Sequence, residues 1–330
     1  MDTPLVSVLM SVYNGLAYLE QAVESILRQS FDDFEFIIVN DGSTEPVSEF
    51  LSRIRDPRIV LVNQENMGLT RSLNKGICLA RGEYLARMDA DDVSLPQRLE
   101  RQVEVMEANP CLDLVAAHYE VIDDKGRVCD RKVLIQDPVY RLWRLQFHNV
   151  YGHGTVLLRK NSIVAAGGYD ETYAVAQDYE LWSRLSKLDN THVIPEVLYQ
   201  YRSVDQSPQS SIRHYERQLA NAIRTSNRNI KACKPDFSDA DCEDVRSVFW
   251  KFQRVATSLR GIDLLPALLE GFFARYGVGV SQRDGLLRQV LADVESELET
   301  DASIKKSDSP AILGAFRKSI GHWLAEAGCS

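Results

Sequence analysis

Over its first 90 residues the chain alternates short apolar runs with segments of helical periodicity. Val6-Ser7-Val8-Leu9-Met10 is rich in strand formers. Ala17 to Arg28 follows, with Leu19, Ala22, Val23, Ile26 and Leu27 at helical spacing. Phe34 to Val39 is a second strand run, Val47 to Ile54 suits a helix, and Ile59 to Val62 is a third strand. Leu69 to Ala80 is helical with Gly82 as its stop signal, and Glu83 to Met88 is a fourth strand. Apolar strands alternating with helices predict a parallel sheet covered on both faces. Such sheets bind ligands beyond the carboxyl ends of their strands. Three polar clusters stand there, each directly after a strand: Ser11-Val12-Tyr13-Asn14, Asn40-Asp41-Gly42-Ser43, and Asp89-Ala90-Asp91-Asp92.

The third cluster packs three carboxylates into four residues. Carboxylates this close repel one another unless water or a cation lies among them. A solvated acidic turn is the simpler reading of such a run taken alone. Its place at a strand end, level with two other polar clusters, favours a cation holding a phosphorylated ligand. The net charge of -9 predicts no bulk attraction to nucleic acid or to an anionic membrane. The six cysteines are scattered without a CxxC pair, which argues against a zinc ribbon or a dithiol redox site and for free thiols. Met1-Asp2-Thr3-Pro4 carries neither the basic segment nor the apolar core of a signal peptide, and no run approaches the roughly 20 apolar residues that span a bilayer. The expectation is a cytoplasmic protein, with peripheral attachment at the inner membrane face left open.

From residue 96 the pattern changes. Pro96 opens a helix to Ala108. Leu114 to Val133 reads as a β-hairpin turning at Asp123-Asp124-Lys125-Gly126. Thr155 to Leu158 is a strand, Gln177 to Leu188 a helix, and Thr191 to Tyr201 extended. Beyond Ser210 the chain reads as helices over 212–231, 238–259, 261–276, 284–299 and 310–326, with a polar linker over 300–309. The predicted organisation is an α/β domain over 1–210, split into halves at 95, and a helical region over 211–330.

Five segments in series carry a resemblance. They are Val6 to Asn14; Ile37-Ile38-Val39-Asn40-Asp41-Gly42-Ser43-Thr44; Asn66 to Asn74; Ala86-Arg87-Met88-Asp89-Ala90-Asp91-Asp92; and Gln177-Asp178-Tyr179-Glu180-Leu181-Trp182. In order and spacing this series resembles the family 2 inverting glycosyltransferases, over about residues 5–205. The resemblance implies the GT-A fold, a mostly parallel Rossmann-like sheet flanked by helices. It implies transfer of a sugar from a nucleoside-diphosphate sugar, UDP or dTDP being favoured. The acceptor is a hydroxyl of a saccharide or lipid-linked molecule. Departure of the diphosphate is assisted by Mn²⁺ or Mg²⁺, which such sites hold through one or two carboxylates plus ligand phosphates.

Residue by residue, the resemblance makes Asp91 the metal ligand and Asp89 a ribose or metal contact. Asp92 is left between this cluster and a cap for the helix near Pro96. Asp41 accepts an N–H from the base, Ser11 and Tyr13 contact the base, and Arg71 reaches the base or diphosphate. Asp178 is the general base that takes the acceptor's proton, with helix capping as its alternative. Gln177 stands where the family usually has Glu, which removes one charge beside the base. His153 and Arg202 join Gln177 as acceptor or phosphate contacts, a structural hydrogen bond being the alternative for His153. Relatives often place a histidine two residues after the arginine, where this chain has Val204; Arg202 is the residue expected to compensate.

Two alternatives stay open: a silent sugar-nucleotide-binding relative, and a sugar-nucleotide pyrophosphorylase. The second lacks support, since no Gly-rich, arginine-containing loop follows the first strand. In the C-terminal region Ile312, Leu313, Phe316, Ile320, Trp323 and Leu324 form a stripe at helical spacing. It is expected to pack on the protein's own body, with an interfacial membrane helix or a homo-oligomer contact as alternatives.

Overall fold

The computed structural model describes residues 3–203, 208–250, 258–301, 304 and 308–326, without the side chains of 208–214, 322 and 324. The chain divides into two units: residues 1–136 with 151–221, and residues 137–150 with 222–330.

The first unit opens with the expected alternation: β1 (Val6–Val12), α1 (Leu16–Leu27), β2 (Phe34–Asp41), α2 (Val47–Ser52), β3 (Ile59–Gln64), α3 (Leu69–Leu79) and β4 (Tyr84–Asp89). A two-residue strand β5 (Val93–Ser94), α4 (Arg98–Ala108), and the hairpin strands β6 (Leu114–Ile122) and β7 (Val128–Lys132) follow. In the second unit lies α5 (Pro138–Arg144). The chain returns to the first unit with β8 (Leu157–Arg159), α6 (Lys160–Ala165), α7 (Gln177–Leu185) and β9 (Thr191–Arg202). Then come α8 (Pro208–Cys233), α9 (Asp239–Ser247), α10 (Leu259–Tyr276), α11 (Val280–Thr300), α12 (Ser309–Ser319) and α13 (Gly321–Glu326).

One nine-stranded sheet organises the first unit, in the order β3-β2-β1-β4-β8-β6-β9-β5, with β7 paired to β6. The four strands from β3 to β4 are parallel. Their side chains are apolar on both faces: Val6, Val8 and Met10 pack with Leu19, Val23 and Ile26 of α1, and β2 is buried along its whole length. The later half is mixed: β8 runs antiparallel to β4 and β6, and β9 parallel to β6. The hairpin turn is built as its sequence suggests. Asp123 Oδ1 accepts from Lys125 N and Arg127 N at 2.9 and 2.8 Å, and Gly126 takes φ +78°.

Gly82 corrects an expectation. The cap of α3 is Ala80, and Gly82 has no left-handed backbone. Its role is proximity: a Cβ there would lie 2.5 Å from Ser7 N. Helix α7 ends at Leu185 rather than Leu188, α9 ends at Ser247, and a break at Ile320 divides the last predicted helix in two. Val204, part of the predicted linker and part of the expected 238–259 helix lie outside the described residues.

The second unit gathers its core around Trp143, whose ring meets Phe147, Phe249 and Phe272 edge-on at 5.1 to 5.7 Å. Of the C-terminal stripe, Phe316, Ile320 and Trp323 are buried, and Trp323 packs on Phe273 at 5.3 Å. These three therefore serve this unit's own core. Among the described residues no helix is long and apolar enough to cross a membrane.

Candidate active site

Parallel register brings the polar clusters to one level. Ser11 of β1 sits between Val39 of β2 and Asp89 of β4. Asn14, held at φ 59°, crosses to the second cluster: its Oδ1 accepts from Thr44 N at 2.8 Å. Ser11 is half-buried, and Tyr13 projects at this edge, 54% exposed.

Asp41 ends β2 and is buried. Its carboxylate organises the loop before α3, Oδ1 accepting from Gln64 Nε2 at 2.7 Å and Met67 N at 2.8 Å, Oδ2 from Gly68 N at 2.8 Å. A carboxylate has about four acceptor positions, so these three bonds leave one. Arg71, in the first turn of α3, pairs with Glu171 at 3.1 Å on the surface.

The acidic cluster divides into three environments. Asp89 forms an ion pair with Arg87, whose guanidinium is buried. Asp92 is 1% exposed; its Oδ2 accepts from the Tyr199 hydroxyl at 2.8 Å and its Oδ1 from Arg202 N at 2.7 Å. Burial, and then the neighbouring Asp91, push the Asp92 carboxyl up to about 7. Asp92 is no helix cap, because α4 starts after Gln97 without a side-chain cap. Burial also raises Asp91, which among the described residues is in no ion pair.

This asymmetry bears on a cation. Among the described residues no three His, Cys, Asp or Glu side chains converge as a metal cage. A raised Asp91 carboxylate at a strand end suits a hard cation that completes its shell with phosphate and water oxygens. Asp91, two residues beyond the end of β4, is the carboxylate that such a cation would meet, with Asp89 nearby in the chain.

Asp178 lies in the first turn of α7, and Ala176, in left-handed conformation at φ 56°, turns the chain into that helix. The N-cap position belongs to Ala176, so Asp178 is not the cap. Asp178 and Asp89 line one cavity of about 280 Å³, together with Tyr119, His153, Tyr199 and Tyr201. Gln177, preceding Asp178 in the chain, is buried. His153 makes the structural hydrogen bond: its Nε2 lies 2.8 Å from the Tyr169 hydroxyl. Burial, with Arg87 nearby, depresses its pKa and keeps the ring neutral.

Arg202 departs from the expected role. It is buried, and its guanidinium is spent on the protein: Nε donates to Asp91 O at 2.7 Å, Nη1 to Asp123 O at 2.9 Å, and Nη2 to Gln21 Oε1 at 2.6 Å. All three nitrogens donate to protein acceptors, which uses three of the guanidinium's five N–H groups.

Sequence reasoning missed Arg87, Tyr119, Tyr199 and Gln218. Arg87 and Asp89 are two apart in a strand and so share a face. Tyr119 and Tyr199 are register partners across β6 and β9. The first relation is visible in the sequence; the second needs the pairing of distant strands.

The description "Glycosyl transferase family 2" matches residues 7–164. An uncharacterized glycosyltransferase of Methanocaldococcus jannaschii is 36% identical over 211 residues, covering 61% of this chain and 72% of that protein. The amylovoran biosynthesis glycosyltransferase AmsE of Erwinia amylovora is 32% identical over 207 residues, 60% of this chain and 76% of that one. Among solved structures, S. aureus TarS 1–349 in complex with UDP-GlcNAc superposes with a TM-score of 0.57 at 16% identity, over 98% of this chain and 90% of that one. At that identity the likeness concerns the fold, which is GT-A-like.

Proposed function

Because the chain belongs to glycosyltransferase family 2, we propose that it transfers a sugar with inversion from a UDP-sugar to a hydroxyl of a growing polysaccharide or lipid-linked saccharide. The carrying observation is that Asp89, at the end of β4, and Asp178, in the first turn of α7, line the same cavity. A donor contact and a base on one cavity are what a single displacement requires. The UDP-GlcNAc bound to TarS supports the donor class, and the polysaccharide role in the AmsE name supports the acceptor class.

In this reaction the acceptor oxygen bonds to the anomeric carbon from the face opposite the leaving diphosphate, whose bond to that carbon breaks. Asp178 takes the hydroxyl proton on a carboxylate oxygen as the new bond forms. Asp91, with Asp89 beside it, would hold a divalent cation, which when bound supplies positive charge to the departing diphosphate. His153, neutral and tied to Tyr169, shapes the cavity wall. Tyr13 and Asp41 bound the base end of the site. Catalysis by Asp178 distinguishes this reading from a silent nucleotide-binding relative.

A thermal-shift screen of nucleotide sugars with and without Mn²⁺ tests the assignment. A UDP-sugar should stabilise the protein only with metal, and Asp91→Ala should abolish that dependence. A variant that keeps the wild-type, Mn²⁺-dependent stabilisation would sink the metal assignment.

A further inference from the structure

We infer that Arg202 and Tyr199 of β9 are positioning residues that hold the acidic loop in the geometry a divalent cation needs. The inference rests on the proposed function and names how its cation site is built. Arg202 touches the loop twice, through Nε to the Asp91 carbonyl and through its main-chain N–H to the Asp92 carboxylate. Its other two nitrogens reach elements of the first unit on either side, the turn of the β6–β7 hairpin at Asp123 and helix α1 at Gln21. Its guanidinium also lies over the Tyr18 ring of α1, 4.5 Å from the centroid. Tyr199 adds two contacts from the same strand: its hydroxyl donates to Asp92 Oδ2 at 2.8 Å and accepts from Asp89 N at 3.2 Å.

The result is a frame around one residue. Among the described residues Asp89 is engaged by Arg87, and Asp92 by Tyr199 and Arg202. Only Asp91, the proposed ligand, has its main chain clamped while its carboxylate stays outside any ion pair. With few protein ligands, cation affinity depends on how well that one carboxylate is placed. Partners that orient a ligand typically matter by about 10–100-fold in metal affinity. A lysine at 202 keeps the charge, but its three donors share one nitrogen and cannot span the separated acceptors at Asp91, Asp123 and Gln21.

The test measures UDP binding by the full-length protein as a function of Mn²⁺, by titration calorimetry, and Mn²⁺ uptake by electron paramagnetic resonance. Arg202→Lys is expected to raise the Mn²⁺ needed for half-maximal UDP binding by about 10–100-fold. At saturating Mn²⁺ the UDP affinity should return to the wild-type level, with circular dichroism unchanged. A purely structural role would weaken UDP binding even at saturating Mn²⁺, and that result overturns the inference. So does an unchanged Mn²⁺ requirement. Gln21→Ala removes one exposed arm of the clamp and should show the same split on a smaller scale. If Arg202→Lys does not fold, wild-type behaviour of Gln21→Ala overturns the inference. A wild type whose UDP binding ignores Mn²⁺ overturns the functional reading and this inference with it.

Discussion

Tyr199→Phe removes a single oxygen from the centre of the acidic loop. Tyr199 is 1% exposed, and its hydroxyl makes one bond to a buried carboxylate and one to a main-chain N–H. The ring itself stays, still lying over Arg98 at 5.0 Å, so little packing is lost. A hydrogen bond to a charged group contributes about 1.5–3 kcal/mol and a neutral one about 1 kcal/mol. The loss should therefore total about 2–4 kcal/mol at pH 8, where Asp92 is ionised. The size should depend on pH in a definite direction. The Tyr199 hydroxyl favours the Asp92 anion, while burial and Asp91 push its carboxyl up to about 7. At pH 5 the folded protein holds Asp92 largely protonated, and a neutral partner loses less. Urea unfolding of wild type and variant at both pH values, with unchanged m, reads the difference. A cost below about 0.5 kcal/mol, or one equal at pH 8 and pH 5, would refute this account of the loop.

Gly154→Ala should disturb the same centre from the other side. Its Cβ would lie 2.1 Å from Tyr199 Oη and 2.3 Å from Cζ, so a cost of about 1–3 kcal/mol is expected, and full stability of the variant would contradict the packing described. In the second unit, His148 Nδ1 lies 3.0 Å from Asn149 O, which only accepts, and Arg144 Nη2 lies 2.9 Å from Nε2. The ring is therefore neutral with its proton on Nδ1, and burial, followed by Arg144, depresses its pKa to about 4. With the folded value below the unfolded one, its contribution is full above about pH 6.5 and is lost as pH falls through 6.5 towards 4. His148→Gln should flatten the pH dependence of unfolding in that window by up to about 1.4 kcal/mol per pH unit; an unchanged slope would show that His148 does not carry the linkage.

The parallel half of the sheet was legible because its signals are local. Strands β1 to β4 are mostly apolar runs, and α1 and α3 between them bury a clear apolar stripe. The hairpin was legible for the same reason, through Asp123 and Gly126. Helix α5 carried a start signal, since Asp137 caps it by accepting from Tyr140 N at 2.7 Å and Pro138 follows. At seven residues, however, it is too short for a periodicity to declare itself. Gly82 misled because a glycine after a helix is usually a cap, whereas here it admits the backbone of β1. Within the site, the positions of Asp89 and Asp178 could be named from motifs. What Arg202 and Asp92 do could not, because it depends on where β9 lands beside the acidic loop. A buried arginine and a ligand-facing arginine look alike in sequence; only the acceptors around Asp91, Asp123 and Gln21 separate them.

In the proposed reaction Asp178 takes the acceptor's proton in the cavity it lines with Asp89. The most direct measurement compares wild type and Asp178→Asn for sugar transfer from a UDP-sugar, with donor affinity determined in parallel on the same preparations. Donor binding should be unchanged and the rate reduced by about 10²–10⁴, the usual scale of general-base catalysis. Near-normal transfer by Asp178→Asn would contradict that role.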